Sequence, residues 1–195
     1  MNPVPGWMTD ADLQAIDTIC AQVPLGAHVL EIGSFLGRSS IQWAARLPTS
    51  RIVCVDAWQG VPTDYVERWY LEQCWGDHTL LHMNLPMFPQ FLHNTRHFMN
   101  IVPVRMTSQE FTWVWPISPH VIFLDGDHTD VGVKADLDAC LTRWCAQPHT
   151  IICGHDYNPN FHNSVYRQVT AFAALHGFQI VHHETSTVFE LRKHA

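Results

Sequence analysis

The sequence predicts a doubly wound α/β fold: a seven-stranded sheet, mostly parallel, with helices on both faces and an antiparallel C-terminal hairpin. Five short apolar segments rich in Val and Ile alternate with segments of helical periodicity, which is typical of a parallel sheet with crossover helices. The last two apolar segments, residues 178–183 and 187–192, are separated by only three residues and are therefore expected to be antiparallel neighbours. A chain of 195 residues is long enough for one such domain with a sizeable core.

The individual elements follow from local patterns. Residues 9–20 predict an amphipathic helix, because Thr9 is a favoured N-cap residue and apolar residues recur on one face. Residues 165–176 predict another helix, which Gly177 ends in the C′ position. The other predicted elements are strands at residues 29–32, 51–56 and 101–105, strands beginning at residues 121 and 151, and helices at residues 38–46, 65–75, 88–98 and 130–145.

Polar side chains follow the predicted parallel strands where each strand ends. Right-handed crossovers put the carboxyl ends of all parallel strands at one edge of the sheet. We therefore expect Glu31, Asp56, Ser108, Asp125 and Asp156 to lie near one another. In a Rossmann-like sheet this edge is where ligands bind, so the convergence predicts a functional site.

The loop after the first strand predicts the kind of ligand. Gly33 permits a sharp turn without a Cβ, and Ser39 lies at a helix start whose free N–H groups and hydroxyls can hold a carboxylate. Dinucleotide sites use G-x-G-x-x-G, and the middle glycine of that pattern is absent between Gly33 and Gly37. A smaller zwitterionic ligand fits this loop better than a pyrophosphate.

The segment E-I-G-S-F-L-G-R-S-S, which starts at Glu31, resembles motif I of the class I S-adenosylmethionine-dependent methyltransferases. The resemblance extends over residues 29–193. The strand tips Asp-Gly-Asp-His at 125–128 and Gly-His-Asp-Tyr at 154–157 are similar to those of the metal-dependent small-molecule O-methyltransferases, which include catechol-type enzymes and a sugar and macrolide branch. The resemblance implies methyl transfer from S-adenosylmethionine to a hydroxyl of a small molecule such as a sugar, a phenol or a polyketide.

The donor site follows from both the spacing and the resemblance. Asp56 comes about 20 residues after the glycine loop, where an acid can accept hydrogen bonds from a ribose. Ser39 is expected at the carboxylate of the donor, and the pair Ser108 and Gln109 resembles the adenine contact of the catechol-type enzymes. The full set of residues expected at the donor is Glu31, Gly33, Ser34, Phe35, Gly37, Ser39, Asp56, Ala57, Ser108, Gln109 and Asp125.

A divalent cation is expected beside the donor. Asp125 and Asp156 follow neighbouring strands and supply the oxygen ligands that Mg²⁺ prefers. The catechol-type pattern has Asp-Asn where this chain has His155-Asp156, and imidazole suits Mn²⁺, Fe²⁺ or Zn²⁺ better than Mg²⁺. The metal is therefore left open, and His155 is either a ligand or a neighbour of the ligands. Asp127 is a further candidate ligand; alternatively it orients His128 or caps the next turn.

The expected catalytic residues are His128 and Asp125. His128 stands where related enzymes have a lysine base, and a histidine accepts protons near neutral pH. Structural interpretations compete with these roles: Asp56 as a helix N-cap, Asp125 and Asp127 as turn formers, and His155 as a strand-end residue with a backbone partner. The least regular segment, residues 58–100, is expected to be an acceptor-binding insertion within a single domain, 1–195.

The composition limits the kinds of molecule that the protein is expected to bind. The formal net charge is −7 and no run of Lys or Arg occurs, which argues against nucleic acid and makes an RNA or protein methyltransferase a weaker alternative. No apolar run approaches the roughly 18 residues of a membrane span. The absence of C-x-x-C pairs and of a signal sequence predicts reduced thiols and a cytoplasmic protein. A nucleotide-cofactor protein such as an NAD-dependent oxidoreductase is the main alternative, and association of identical subunits is left open.

Overall fold

A computed structural model describes residues 4–59 and 87–193. The elements within these ranges are, in chain order, α1 (Asp10–Cys20), β1 (His28–Ile32), α2 (Arg38–Arg46), β2 (Arg51–Asp56), α3 (Met87–Thr95), β3 (Ile101–Arg105), β4 (Val121–Leu124), α4 (Asp130–Thr142), β5 (Ile151–Gly154), α5 (Asn163–His176), β6 (Phe178–His182) and β7 (Phe189–Lys193).

The strands form one seven-stranded sheet in the order β3-β2-β1-β4-β5-β7-β6. Strands β1 to β5 are parallel, whereas β7 is antiparallel to both β5 and β6. The predicted fold class is therefore confirmed, including the C-terminal hairpin. Strand β3 carries Pro103 at one edge of the sheet, where the missing N–H of proline is tolerated.

Both faces of the sheet are buried. Successive residues of a strand point to opposite faces, so Val29 packs with α1 and α2 while its neighbour Leu30 packs with α4 and α5. Each face has a fully buried tryptophan: Trp43 from α2 on one side and Trp144, just after α4, on the other. Two-sided burial explains why the parallel strands are short, continuous apolar runs.

The observed boundaries differ from the predicted ones mainly at helix ends. Helix α4 ends at Thr142 rather than at residue 145, and α3 ends at Thr95 rather than at residue 98. The predicted helix 65–75 and most of the predicted insertion, 58–100, lie outside the described residues. Of the helices in the described ranges, none has both the length and the apolar character needed to cross a membrane.

Candidate active site

The loop between β1 and α2 lies against the tip of β4. Gly33 has φ +81°, and a Cβ at this position would lie 2.0 Å from the backbone oxygen of Asp125. The backbone N–H of Gly33 donates to Val55 O at 2.9 Å, which fixes the loop to β2 as well. Only glycine fits here, and its small size brings the loop and the acidic tip of β4 into contact.

Asp56 holds this loop in place. Its Oδ2 accepts hydrogen bonds from the backbone N–H groups of Ser34 at 3.0 Å and Phe35 at 2.9 Å, and its Oδ1 accepts from Trp58 N at 2.7 Å. The indole of Trp58 also donates to Phe35 O at 2.7 Å. The residue predicted to bind the ribose therefore lies beside the loop as expected, with both carboxylate oxygens already accepting backbone donors.

Two other residues that the sequence predicts at the methyl donor lie inside the protein. Glu31 is fully buried, and its Oε2 accepts from the hydroxyls of Ser34, at 2.7 Å, and Ser40. Burial raises the pKa of the Glu31 carboxyl, and the serine hydroxyls partly offset this effect. Gly37 has φ +93° and is the N-cap of α2, where a Cβ would lie 2.8 Å from Thr95 Cγ2. Both residues therefore contact the loop and helix α2 from the protein interior.

A cavity of about 800 Å³ opens above the loop and the tips of β4 and β5. Its described lining includes eight of the residues predicted from the sequence: Gly33, Ser34, Phe35, Ser39, Asp125, His128, His155 and Asp156. Its size is in the range of sites for small molecules and cofactors. The predicted methionine-binding loop and three of the four predicted metal ligands, Asp125, His155 and Asp156, thus face one common space.

The predicted adenine residues lie outside this lining. The Gln109 carbonyl accepts a hydrogen bond from Arg143, and the Ser108 side chain interacts with buried Asp136. Burial raises the pKa of Asp136 to about 6, although Ser108 lowers it in part. Asp136 also packs beneath Gly126, a residue of the cavity wall, so Ser108 is linked to that wall through one side chain.

Asp125, His155 and Asp156 form a compact group of potential ligands. His155 Nδ1 lies 3.5 Å from Asp125 Oδ1 and 3.4 Å from Asp156 Oδ1. Ligand atoms that bind one cation at about 2.0–2.2 Å lie about 3.0–3.6 Å apart, so these separations fit a shared divalent cation. Asp156 has φ +63°, a left-handed conformation that aspartate tolerates better than most residues.

The electrostatics of this group are set by burial and by its charges. Burial alone would lower the pKa of His155, but the carboxylates of Asp125, Asp12 and Asp156 outweigh it and raise the pKa to about 12. The pKa of Asp156 is lowered despite burial, because the side chains of His128 and His155 stabilise its ionised form. The carboxylates thus favour the charged forms of both imidazoles.

His128 faces the same carboxylates. Its Nε2 lies 2.8 Å from Asp156 Oδ2 and 3.5 Å from Asp125 Oδ1. Burial lowers the pKa of His128, but the two carboxylates raise it overall to about 10. The ring of His162 lies 5.0 Å away, and potential ligand atoms of His128, Asp156 and His162 form a second group within 4.8 Å of one another.

The carboxylate of Asp127 is turned away from both groups of potential ligands. Its carboxylate accepts from the backbone N–H of Thr129 at 2.9 Å, contacts the Thr129 hydroxyl at 3.0 Å and packs against Gly132. Asp127 is exposed, and it belongs to neither group of potential ligands among the described residues. Of the three roles predicted for Asp127, this geometry favours the structural one at the start of α4.

Several cavity residues have no signal in the sequence motifs. Trp7 packs on Phe35 with ring centroids 5.1 Å apart, and Phe161 lies at the mouth with 83% of its surface exposed. Asp12 of α1 reaches His155, with Asp12 Oδ2 3.3 Å from His155 Nε2. Trp7 and Asp12 come from the N-terminal segment, far from the strand tips in sequence, and only the packing of that segment over the sheet edge brings them there. Phe161 instead lies in the loop between β5 and α5.

Comparison with known proteins gives the family. A family model described as "Methyltransferase domain" matches residues 30–157, which is more than half of the chain and contains both acidic strand tips. No curated protein sequence matches the chain.

Solved structures with a similar fold include several methyltransferases. The O-methyltransferase NovP has a TM-score of 0.66 at 16% identity, covering 94% of this chain and 80% of its own. CalS11, a TDP-rhamnose 3′-O-methyltransferase in calicheamicin biosynthesis, has a TM-score of 0.56 at 18% identity, covering 93% of this chain and 78% of its own. An rRNA methylase from Streptococcus thermophilus has a TM-score of 0.58 at 8% identity, covering 97% of this chain and 100% of its own. The chain belongs to the methyltransferase-domain family and has the fold of the class I S-adenosylmethionine-dependent methyltransferases.

Proposed function

We propose that the protein transfers a methyl group from S-adenosylmethionine to a hydroxyl of a small molecule, assisted by a divalent cation. One observation carries this proposal: the glycine loop and the cluster of Asp125, His155 and Asp156 line the same cavity. A methyl donor on the loop and a hydroxyl on the cluster would therefore be neighbours. Holding two reactants side by side in this way is a major source of rate enhancement.

The donor would lie along the loop and across the tips of β1 to β3. Ser39 is buried and lines the cavity at the start of α2, so its hydroxyl and the N-terminal N–H groups of α2 would hold the carboxylate of the methionine part. Asp56 would accept from the ribose with the lone pair that its three backbone donors leave, while Ser108 and Gln109 would contact the adenine. Gly33 lets the loop pack against the tip of β4 beside the donor, since a Cβ there would overlap Asp125 O.

Deprotonation of the acceptor would take place at the strand tips. A divalent cation, when bound, lowers the pKa of a coordinated hydroxyl and stabilises the alkoxide. Asp125, His155 and Asp156 would hold that charge, and His128 Nε2 would take the hydroxyl proton. Asp125 and Asp156 raise the pKa of His128, and a cation held by these carboxylates would offset their charge, which would leave the imidazole available as a base.

The acceptor is proposed to be a sugar, a phenol or a polyketide-like molecule. Trp7 and Phe161 flank the cavity and offer aromatic surface on which a ring can pack. NovP and CalS11 are named as O-methyltransferases, and the second acts on TDP-rhamnose, a sugar nucleotide.

The described cysteines are all unpaired, which supports a reducing compartment such as the cytoplasm.

Alternative activities have less support. The net charge of −7 offers little attraction for RNA, although an rRNA methylase shares the fold. A dinucleotide would lack the close approach that the middle glycine of G-x-G-x-x-G provides. We therefore do not favour an NAD-dependent oxidoreductase.

The first test is ligand binding. S-adenosylhomocysteine should raise the unfolding temperature of the protein, whereas NAD should not, because only a ligand of the folded state stabilises it. The reverse result would contradict the proposed donor.

The second test is metal-dependent turnover. Incubation with S-adenosylmethionine and a panel of sugar, phenol and polyketide acceptors should give methylated products by mass spectrometry. Turnover should fall after treatment with a chelator and return with Mn²⁺ or Mg²⁺. Asp125→Asn should abolish turnover, and Asp138→Asn, an exposed carboxylate on α4 paired with Lys134, serves as the matched control. Full activity in excess chelator would refute the role of the cation.

A further inference from the structure

The two ring nitrogens of His155 face different partners. Nδ1 lies between Asp125 Oδ1, at 3.5 Å, and Asp156 Oδ1, at 3.4 Å. Nε2 lies on the other side of the ring, 3.3 Å from Oδ2 of Asp12. The side chain is 5% exposed, so water contributes little to the choice of which nitrogen carries a proton.

Asp12 is fixed by several donors around its carboxylate. Oδ1 accepts from the hydroxyl of Ser186 at 2.8 Å and the backbone N–H of Thr187 at 2.9 Å. Oδ2 accepts from the backbone N–H and the hydroxyl of Thr9, at 2.8 and 2.7 Å. Each carboxylate oxygen therefore faces a backbone N–H group, which can only donate, so Asp12 acts as a hydrogen-bond acceptor. Its Oδ2 can accept a hydrogen bond from a protonated Nε2 of His155.

We propose that Asp12 is a positioning residue, which keeps the proton of neutral His155 on Nε2 so that Nδ1 can bind a divalent cation together with Asp125 and Asp156. This inference rests on the proposed function, because it assumes the cation site. A ring nitrogen binds a metal only through a free lone pair, and neutral imidazole has one proton to place. A carboxylate behind the ring decides that placement and increases the basicity of the other nitrogen.

The arrangement gives a physical reason for the histidine at this strand tip. An unsupported imidazole in a buried site could adopt either tautomer, and one of them presents an N–H to Asp125 and Asp156. With Asp12 in place, the metal ligands are one imidazole and two carboxylates, a combination that suits Mn²⁺ or Fe²⁺ better than Mg²⁺. Helix α1 thereby becomes part of the metal site, although it contributes no ligand.

The test uses Asp12→Asn in the full-length protein. The amide oxygen can still accept from Ser186 and Thr187, and the NH₂ group then takes the place of Oδ2, where the hydrogen bonds from Thr9 are lost. That group donates to Nε2 of His155, which moves the imidazole proton to Nδ1 and blocks the cation. Asp17→Asn is the matched control: it makes the same change on the same helix, at a carboxylate that pairs with Arg46 at 2.6 Å and does not contact His155.

Mn²⁺ binding is measured by the loss of the free-ion signal in electron paramagnetic resonance. We expect Asp12→Asn to bind Mn²⁺ about 10–100-fold more weakly than the wild type, and Asp17→Asn to bind within about threefold of it. Electron spin-echo modulation should detect a coordinated imidazole nitrogen in the wild type and lose it in Asp12→Asn at saturating Mn²⁺. Thermal unfolding without metal checks that both variants are folded.

The possible results separate the two hypotheses. If Mn²⁺ binds wild type and Asp12→Asn equally, with the same nitrogen signal, the role of Asp12 is refuted and the cation site stands. If Mn²⁺ binds the wild type without a nitrogen signal, His155 is not a ligand and the inference is again refuted. If the wild type binds no Mn²⁺, both the inference and the cation in the proposed function are refuted, while the donor site is unaffected.

Discussion

Replacement of Asp56 by alanine should destabilise the protein even when no donor is bound. The Asp56 carboxylate accepts three backbone N–H groups, from Ser34, Phe35 and Trp58, at 2.7–3.0 Å. A hydrogen bond to a charged group contributes about 1.5–3 kcal/mol. Three such bonds at the lower end of that range sum to about 4.5 kcal/mol. Contributions of neighbouring groups are not additive, so we expect a loss of about 2–3 kcal/mol. For a chain of this size, the unfolding temperature should fall by about 5–10 °C.

The measurement is thermal unfolding by circular dichroism together with calorimetric titration of S-adenosylhomocysteine. Asp56→Asn is the matched control, since its amide oxygen can still accept from Ser34 and Phe35 and loses only the contact with Trp58. It should be destabilised by about 1 kcal/mol. Both variants should bind the donor more weakly. An unchanged unfolding temperature in Asp56→Ala would refute the structural role, and unchanged donor affinity in both variants would refute the ribose contact.

Three further predictions concern single residues. His128→Ala should lower kcat by about 10²–10⁴-fold with little change in donor affinity, because a positioned base is lost; wild-type turnover on the true acceptor would argue against that role. Gly33→Ala should destabilise the fold by more than about 3 kcal/mol, because its φ is +81° and the new Cβ would overlap Asp125 O. Gly26→Ala is the control, because Gly26 has φ +75° but a Cβ there would have no atom within 4 Å. Equal losses of stability for the two variants in urea unfolding would contradict the steric argument. Asp136→Asn should stabilise the protein above pH 6. Burial raises the Asp136 pKa from 3.8 to about 6, so ionisation of this carboxyl at higher pH lowers the free energy of unfolding, whereas below pH 3.8 the carboxyl is neutral and has no such cost. The gain, about 3 kcal/mol at pH 7 by urea unfolding, should disappear near pH 4, and a pH-independent gain would show another cause.

Most of the fold was predictable because its signals are local. Strands β1, β2, β4 and β5 are buried on both faces, so each is mainly apolar between polar tips, with buried Glu31 as the exception in β1. The handedness of crossovers then places those tips at one edge, without any knowledge of side-chain contacts. Gly33 and Gly177 were also predictable, because their backbone conformations exclude most other residues.

The sequence by itself determined the sheet, the glycine loop and the convergence of Asp125, His128, His155 and Asp156, since periodicity and chain order are enough for these. Only the tertiary structure decided the partners of each polar atom. Asp127 stands two residues from Asp125, yet its carboxylate turns to Thr129, because an exposed acid at a helix start finds free backbone and hydroxyl donors there. Asp12 contacts His155 from a distant part of the chain, because packing of α1 against the sheet buries both side chains and brings Asp12 Oδ2 to 3.3 Å from His155 Nε2.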